Sequence, residues 1–300
     1  MSLFDELVNE ALKNKQDLAP LRVVVEKELL HHDIMLALSA AGMLAKLTFI
    51  GGTCLRTCYG SNRLSEDLDF TGGTDFNRES LTELAQVLVT TPKTKYGLEV
   101  EVGEPVREEG NVNTWKLKVQ TRAGRKDLPA QRINIDVCSI PSYQPQPMQL
   151  LNPYGVDMGT SGLILQAETR EEIYADKIVA FALRPNRIKN RDLWDMVWLR
   201  QLGITPQLDL IAKKLGDHHC EQDDFLRQFK ERSAQLEADP KVVIEFRKEM
   251  SRFLPGELVA QTVNEPAFWT FLVGHIRDLY VTTEKALSGH ESVQGSGFKM

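Results

Sequence analysis

The chain has 300 residues, 42% hydrophobic and 26% charged, with a formal net charge of −6 at pH 7. This length and apolar content are enough for a full core, and we expect two domains of ordinary size. A chain with net acidic charge can bind nucleic acid only through a local basic patch. We predict a cytoplasmic protein with no membrane partner, because there is no membrane-spanning apolar run and no secretory signal, and four cysteines in so long a chain favour reduced thiols.

The first half of the chain mixes helix and strand signals. Apolar residues at helical intervals predict helices up to about residue 46, and Pro20 separates two of them. Gly60 ends a short predicted helix that starts near Thr53. The remaining predicted elements are, in chain order, strands at 47–50 and 67–70, a helix at 78–89, and strands at 97–106, 111–120 and 132–140.

The second half predicts helices only. Between Ser139 and Gly162 the composition changes to Pro, Gln, Ser, Asn and Gly, which predicts a long connection. Thr169-Arg-Glu-Glu has the form of a capping box and predicts the start of a helix that ends at Arg184. We therefore predict an α+β fold, with a mixed-sheet domain over residues 1–150, a helical domain over 151–287, an active cleft between the two, and a disordered tail over 288–300. The further predicted helices cover residues 190–201, 206–215, 222–235, 240–253 and 265–287.

A glycine pair and two aspartates suggest that the first domain handles phosphate and metal. Gly51 and Gly52 follow an apolar strand and precede a helix, so the N–H groups of a helix N-terminus could face a phosphate. Asp67 and Asp69 are two residues apart in an extended segment, which places both carboxylates on one face while Leu68 faces the core. Two adjacent carboxylates suit Mg²⁺ that also contacts phosphate oxygens.

Asp136 is a candidate third ligand. It lies in the alternating segment Ile133–Cys138, where Asn134 and Cys138 share its face. A carboxylate in mid-strand is costly unless it is paired or bound to metal. If this strand lies beside residues 67–70, the three aspartates form one cluster that two Mg²⁺ ions would neutralise. The alternative is that Asp136 is an edge residue facing water.

The helical half contains a group of charged candidates. Lys177 and Arg184 are seven residues apart and lie on one helical face. The segment from Arg184 to Arg191 has four cations in eight residues, and it could hold RNA or nucleotide phosphates. Asp192 and Asp195 could orient Lys177 or Arg191 through charge-assisted hydrogen bonds. The alternative is a solvated helix lysine and a solvated turn with ordinary ion pairs.

Three other features favour a structural interpretation. Cys54 and Cys58 lie on one helical face, but no second Cys or His pair accompanies them at zinc spacing, so we interpret them as small helix residues. The run His31–Asp33 predicts a plain helix surface. Trp194 and Trp198 predict core positions of the helical domain rather than a base-stacking platform.

The ordered motifs together resemble a known family. The run from Gly51 to Phe70 reads Gly-Gly-Thr-x-Leu-Arg-x-x-Tyr-Gly-x-x-Arg-x-Ser-x-Asp-Leu-Asp-Phe. It is followed by Ile-Asp136, by Asp-Lys177-x-x-Ala-x-x-x-Arg184, and by Arg191-Asp-Leu-x-Asp195. This order, over residues 24–200, resembles the AbiEii/AbiGii-type nucleotidyltransferase toxins of the DNA polymerase β-like nucleotidyltransferase superfamily.

The resemblance implies a role for each matching residue. Many superfamily members have Gly-Ser where this chain has Gly51-Gly52, so Thr53 or Ser65 would supply the missing hydroxyl. The implied triphosphate-binding residues are Gly51, Gly52, Thr53, Arg63, Ser65, Lys177, Arg184 and Arg191. The implied metal ligands are Asp67, Asp69 and Asp136, and the implied catalytic residues are these three with Lys177 and Asp192.

The resemblance also implies an activity and partners. The expected protein is a toxin that transfers a nucleoside monophosphate from a nucleoside triphosphate (NTP) to an RNA acceptor, with the 3′ end of tRNA as the expected site. Pyrophosphate is released with the help of two Mg²⁺ ions, and a separately encoded antitoxin is the expected partner. The alternatives are nucleotidylation of a small molecule or a protein, and a catalytically silent nucleotide-binding module.

Overall fold

A computed structural model describes residues 2–105, 111–122 and 129–294. The chain forms two compact units, residues 1–169 with 253–255, and residues 170–252 with 256–300. The helices of the first unit are α1 (Leu3–Asn14), α2 (Arg22–Ala40), α3 (Gly51–Tyr59) and α4 (Leu84–Tyr96), with 3₁₀ turns at Gln16–Leu21, Leu44–Lys46 and Arg78–Leu81. Its strands are β1 (Thr48–Ile50), β2 (Leu68–Thr71), β3 (Glu99–Gly103), β4 (Val112–Gln120), β5 (Gln131–Cys138), β6 (Pro145–Gln149) and β7 (Ile164–Glu168).

The seven strands form one mixed sheet in the order β3-β4-β5-β2-β1-β7-β6. The pairs β2/β5 and β1/β7 are parallel, and the other neighbours are antiparallel. Apolar residues alternate with polar ones along β5, so that Ile133, Ile135 and Val137 are buried. The buried face carries the core of the unit and leaves the polar residues on the other face. The predicted α+β fold with a mixed sheet is confirmed.

Two strands lie where the sequence predicted a connection or helix. β6 pairs with β7, and β7 runs parallel to β1 through the pair Phe49 and Ala167. β6 contains Pro145 and Pro147, and an edge strand tolerates proline because one side of it makes no ladder hydrogen bonds. The proline-rich composition therefore concealed an edge strand. Because β7 pairs inside the sheet, the first unit extends past residue 150 to residue 169.

Helix α2 is buried along most of its length, including the segment His31–Asp33. The prediction of a helix surface there is wrong, because each of the three polar side chains has a partner inside the first unit. His31 Nε2 lies 3.0 Å from the carbonyl oxygen of Glu66, His32 Nδ1 lies 2.9 Å from Thr160 Oγ1, and Lys95 pairs with Asp33 at 2.6 Å. Burial lowers the pKa of His32 to about 4, so that its ring is neutral at pH 7.

The second unit is helical, as predicted. Trp194 and Trp198 are buried, and Trp194 stacks on Phe268 with ring centroids 5.6 Å apart, which confirms their core positions. The last helix continues to Gln294, so residues 288–294 of the predicted disordered tail are helical, and residues 295–300 lie outside the described residues. No described helix is long and apolar enough to span a membrane. The helices are α5 (Arg170–Leu183), α6 (Asn190–Gln201), α7 (Leu208–Asp217), α8 (Gln222–Ala238), α9 (Pro240–Met250), α10 (Gly256–Leu258) with a π turn at Val259–Val263, and α11 (Pro266–Gln294).

Candidate active site

The three predicted acidic residues lie on, or directly before, two neighbouring strands. β2 and β5 are parallel, and Asp69 is the register partner of Asp136. Residues in register on parallel strands point to the same face, so the two carboxylates project side by side. Asp67 directly precedes β2, and its Oδ1 accepts a hydrogen bond from the backbone N–H of Asn134 at 3.0 Å. The sheet therefore brings the acids to adjacent positions of one polar face, opposite the buried Leu68.

Gly51 opens helix α3 beside these acids. Its φ is +74°, and a Cβ at this position would lie 3.0 Å from Oδ2 of Asp69. Glycine therefore serves both the left-handed backbone and the close approach to the carboxylate. Ile50, the residue before the helix, provides no side-chain cap, and Gly52 follows in the first turn. The N–H groups of this turn form no intrahelical bonds and are suited to an anion.

Thr53 and Ser65, both predicted to contact phosphate, hydrogen bond to each other in the interior. The Thr53 hydroxyl donates to the carbonyl oxygen of Asp67. A hydroxyl has one proton, so the 2.5 Å contact between Thr53 Oγ1 and Ser65 Oγ has Ser65 as donor. Both side chains are buried. They connect α3 to the segment that carries Asp67, and direct phosphate contact stays a prediction for both residues.

Arg63 is also buried in the segment before β2. Its guanidinium Nη1 donates to the carbonyl oxygen of Leu64 at 3.0 Å, and the side chain is only 3% exposed. The N–H of Leu64 donates to the carbonyl oxygen of Phe253 at 2.9 Å, so the backbone of this segment is also held in place. The predicted role of Arg63 in neutralising phosphate charge stays a prediction.

Glu28 is a further residue at this site, and the motif did not identify it. Its buried carboxylate accepts hydrogen bonds from the backbone N–H of Ser65 at 2.7 Å, from Arg56 Nε at 3.1 Å and from the Tyr154 hydroxyl. Burial and the Glu28 charge raise the pKa of Tyr154 well above its usual value. A signal was present in the sequence, because Glu28 lies between Val25 and Leu29 on the apolar side of a helix. A carboxylate at a helical core position indicates a buried partner.

In the second unit, Lys177 lies between two buried aspartates. Lys177 Nζ is 2.5 Å from Asp192 Oδ1 and 3.0 Å from Asp195 Oδ2, and Arg184 Nη2 lies 3.4 Å from Asp192 Oδ2. Burial alone would raise the pKa of Asp192, but the charges of Lys177, Lys189 and Arg184 lower it well below its usual value. The expectation that aspartates orient Lys177 therefore has a direct geometric counterpart, and a solvated helix lysine does not describe this residue, which is 7% exposed.

The two arginines that flank the basic segment also have partners inside the second unit. Arg191 forms an ion pair with Glu249 at 3.4 Å, and Asn190 donates to the same carboxylate at 3.0 Å. Arg184 pairs with Asp192, and its carbonyl oxygen accepts from Arg232 at 2.5 Å. These contacts agree with the ion-paired alternative for the segment, and nucleotide binding by Arg184 and Arg191 stays a prediction.

The fold and the order of these residues agree with a sequence family. A family model described as "Nucleotidyl transferase AbiEii toxin, Type IV TA system" matches residues 33–273, which is most of the chain. The chain belongs to the AbiEii family of nucleotidyltransferase toxins. It is therefore a nucleotidyltransferase toxin of a toxin–antitoxin system, with an NTP as substrate and an antitoxin as partner.

A solved structure shares the fold of this chain. MenT4, a nucleotidyltransferase toxin from Mycobacterium tuberculosis, matches with a TM-score of 0.56 and 16% identity, over 95% of this chain and 93% of that one. JHP933 from Helicobacter pylori matches with a TM-score of 0.47 and 15% identity, over 90% of this chain and 97% of that one. A comparison with curated protein sequences finds no match. At this identity, the likeness to MenT4 concerns the fold alone.

The acids of this AbiEii protein suit an open Mg²⁺ site rather than a closed one. Across residues 2–105, 111–122 and 129–294, no three His, Cys, Asp or Glu side chains enclose a potential metal position. Asp69 and Asp136 nevertheless lie in register, and Asp67 commits one oxygen to Asn134. Mg²⁺ commonly binds one or two carboxylates and takes its other ligands from water and substrate phosphates. The donor set fits that mode.

Proposed function

We propose that this AbiEii toxin transfers a nucleoside monophosphate from an NTP to a hydroxyl of RNA, at the 3′ end of tRNA, and releases pyrophosphate. The observation that carries the proposal is the pair of in-register carboxylates, Asp69 and Asp136, beside the glycine-opened N-terminus of α3. Carboxylates for a cation and backbone N–H groups for an anion meet at one place. This combination is suited to a metal-bound triphosphate.

The three aspartates of the first unit are metal ligands in this proposal, and Asp136 has a second role. Asp67 and Asp69 would hold Mg²⁺, and Asp136 would be the third ligand. Bound Mg²⁺ would supply Lewis-acid stabilisation of the charge that develops on the phosphate oxygens. Asp136 also accepts the proton of the attacking RNA hydroxyl, whose oxygen displaces pyrophosphate from the α-phosphorus. The Asn134 hydrogen bond holds Asp67 in position against the neighbouring strand.

Backbone and cationic groups bind the phosphates. The N–H groups that begin with Gly51 and Gly52 contact phosphate oxygens, and no side-chain cap competes for them. Lys177 contacts the triphosphate, as the family resemblance implies, and stabilises the negative charge that the departing pyrophosphate gains. Asp192 and Asp195 hold the lysine ammonium in a single position. The Lys177 part of the proposal rests on the resemblance and on these ion pairs.

The test is transfer of α-phosphate label. Purified protein is incubated with Mg²⁺, total RNA and each of the four NTPs labelled at the α-phosphate, and the label in RNA is measured. We expect label at tRNA 3′ ends, and we expect Asp69→Asn and Asp136→Asn each to reduce transfer by at least about 100-fold. Asp17→Asn, which removes an exposed carboxylate of the same unit, is the matched control and should transfer label normally.

Three outcomes would contradict the proposal in different ways. Label that enters protein or a small molecule but not RNA would show that the acceptor is not RNA. NTP binding without any transfer would indicate a silent nucleotide-binding module. Undiminished transfer to RNA by Asp69→Asn would show that the active site lies elsewhere in the protein. A parallel growth assay should show that the same two substitutions relieve toxicity while the control stays toxic.

A further inference from the structure

We infer that the backbone of the RNA acceptor docks on the polar face of β4 and β5, along three cations that we call the basic ladder: Lys116, Lys118 and Arg132. The inference rests on the proposed function, because it takes the acceptor to be RNA. It adds a surface and a mode of binding that the catalytic residues do not specify.

The sheet register places the basic ladder on the same face as the catalytic acids. Arg132, Asn134 and Asp136 alternate along β5, so their side chains share one face. On the antiparallel neighbour β4, Lys116 is the partner of Asn134 and Lys118 is the partner of Arg132. All three cations are exposed. Lys116 lies opposite Asn134, which is two residues from Asp136. Arg132 is four residues from Asp136, which is about 13 Å at about 3.3 Å per strand residue.

A groove runs along the part of this face that carries the basic ladder. It has a volume of 510 Å³, and its lining includes the basic ladder, Glu101, Gly103 and Asn134. Gly103 is the β3 partner of Lys116 and contributes no side chain, which leaves the space beside that lysine open. Asn134 links the groove to the acids, because it lines the groove and its backbone N–H donates to Asp67. A strand of RNA in the groove could thus lead its terminus toward the acids.

The charges of the ladder are available to a polyanion. Across the part of the chain that the structure describes, Lys116 and Arg132 form no ion pair, and Lys118 pairs only with Glu101, at 3.0 Å. That pair is at least half exposed on both sides, so it contributes little and exchanges readily for phosphate. The chain as a whole has a net charge of −6, so RNA must be attracted by a local cluster such as this one.

Geometry favours the RNA backbone over the triphosphate as the occupant. The triphosphate must lie against Asp69 and the first turn of α3, whereas Arg132 and Lys118 are about 13 Å farther along the sheet. A polymer with a phosphate at every nucleotide can contact both places at once. Lysines two residues apart on a strand, about 7 Å from each other, can contact successive phosphates of an extended chain.

The test compares the double variant Lys116→Gln/Arg132→Gln with Lys46→Gln/Lys93→Gln. The control removes the same charge at two exposed lysines of the same unit, on a 3₁₀ turn and on α4. Each lost phosphate contact lowers the salt dependence of log Kd by about 0.7 for single-stranded RNA. For the ladder variant, the slope of log Kd against log salt concentration should therefore decrease by about 1.4. The variant should bind tRNA about 25-fold more weakly than wild type at 0.1 M salt. The KM for tRNA should rise, the KM for NTP should stay unchanged, and Lys116→Arg should bind normally.

The outcomes separate this inference from the proposed function. Equal tRNA affinity and salt slope for the ladder and control variants would overturn the inference, while label transfer by wild-type protein would leave the proposed function intact. A higher KM for NTP with unchanged tRNA binding would overturn it and assign the ladder to the triphosphate. Loss of antitoxin binding alone would overturn it in favour of a protein partner. If wild-type protein labels no RNA, the proposed function fails first. Thermal unfolding of each variant confirms that the sheet is intact.

Discussion

The substitution Glu28→Gln should destabilise the first unit and also slow transfer. The Glu28 carboxylate is 2% exposed and accepts hydrogen bonds from Ser65, Arg56 and Tyr154. A glutamine has one acceptor oxygen, so its amide group would face at least one donor, and the Arg56 side chain, 10% exposed, would lose its counter-charge. Removing one member of a buried ion pair costs about 3–5 kcal/mol, which is a large part of the stability of a domain. Urea unfolding of the purified variant measures this loss.

The expected effect on activity follows from the chain of contacts beyond Glu28. Ser65 is anchored to Glu28 through its N–H, and its hydroxyl donates to Thr53, which in turn donates to the carbonyl oxygen of Asp67. Loosening the first contact permits Asp67 to shift. A misplacement of about 1 Å at a reacting group can cost about 100-fold in rate. We expect kcat per folded molecule to fall by about 10- to 100-fold, with label transfer from NTP to tRNA as the assay.

Glu26→Gln is the matched control for this experiment. Glu26 is an equally buried carboxylate on the same helix, but it accepts hydrogen bonds from Arg22, Arg122 and Gln131, away from the Asp67 segment. It should lose stability and keep full activity per folded molecule. Wild-type kcat in folded Glu28→Gln would refute the positioning role. An unchanged free energy of unfolding would refute the charge argument.

Gly51 and Asp192 each allow a separate test. Gly51→Ala and Gly60→Ala both force alanine to a φ above +70° and should each lose about 1 kcal/mol in urea unfolding. Only Gly51→Ala crowds Asp69, so transfer should fail in that variant alone, and equal activity of the two would contradict the close approach. Separately, the pKa of Asp192 is lowered in the folded state, so its stabilising effect is complete above the unfolded pKa of about 3.9 and is lost as the pH falls below it. Urea unfolding of wild type and Asp192→Asn at pH values from 7 to 3 should show that the stability difference between the two proteins shrinks below about pH 4.

The sequence predicted those parts of the fold where one periodicity decides the structure. Alternation along Ile133–Cys138 is repeated in the structure, because a strand with one buried face allows only one register of side chains. The pairing of β2 with β5 could be proposed from the shared need of Asp69 and Asp136 for a cation, and the register agrees with it. β6 could not be predicted in this way. Its prolines remove the strand signal, and only its position at the edge of the sheet makes them acceptable.

The candidate site shows a different limit, which concerns the direction of side chains. A motif identifies which residues participate in a site. It does not show whether a hydroxyl or guanidinium points toward the substrate or into the protein interior. Thr53 and Ser65 point inward and hold Asp67, whereas Gly51 has no side chain and leaves room for Asp69. The choice depends on Glu28, which is distant in sequence and supplies the buried acceptor for the Ser65 N–H. Such long-range pairing of donors and acceptors has no period in the sequence, so only the folded structure separates the residues that face the substrate from those that hold them in place.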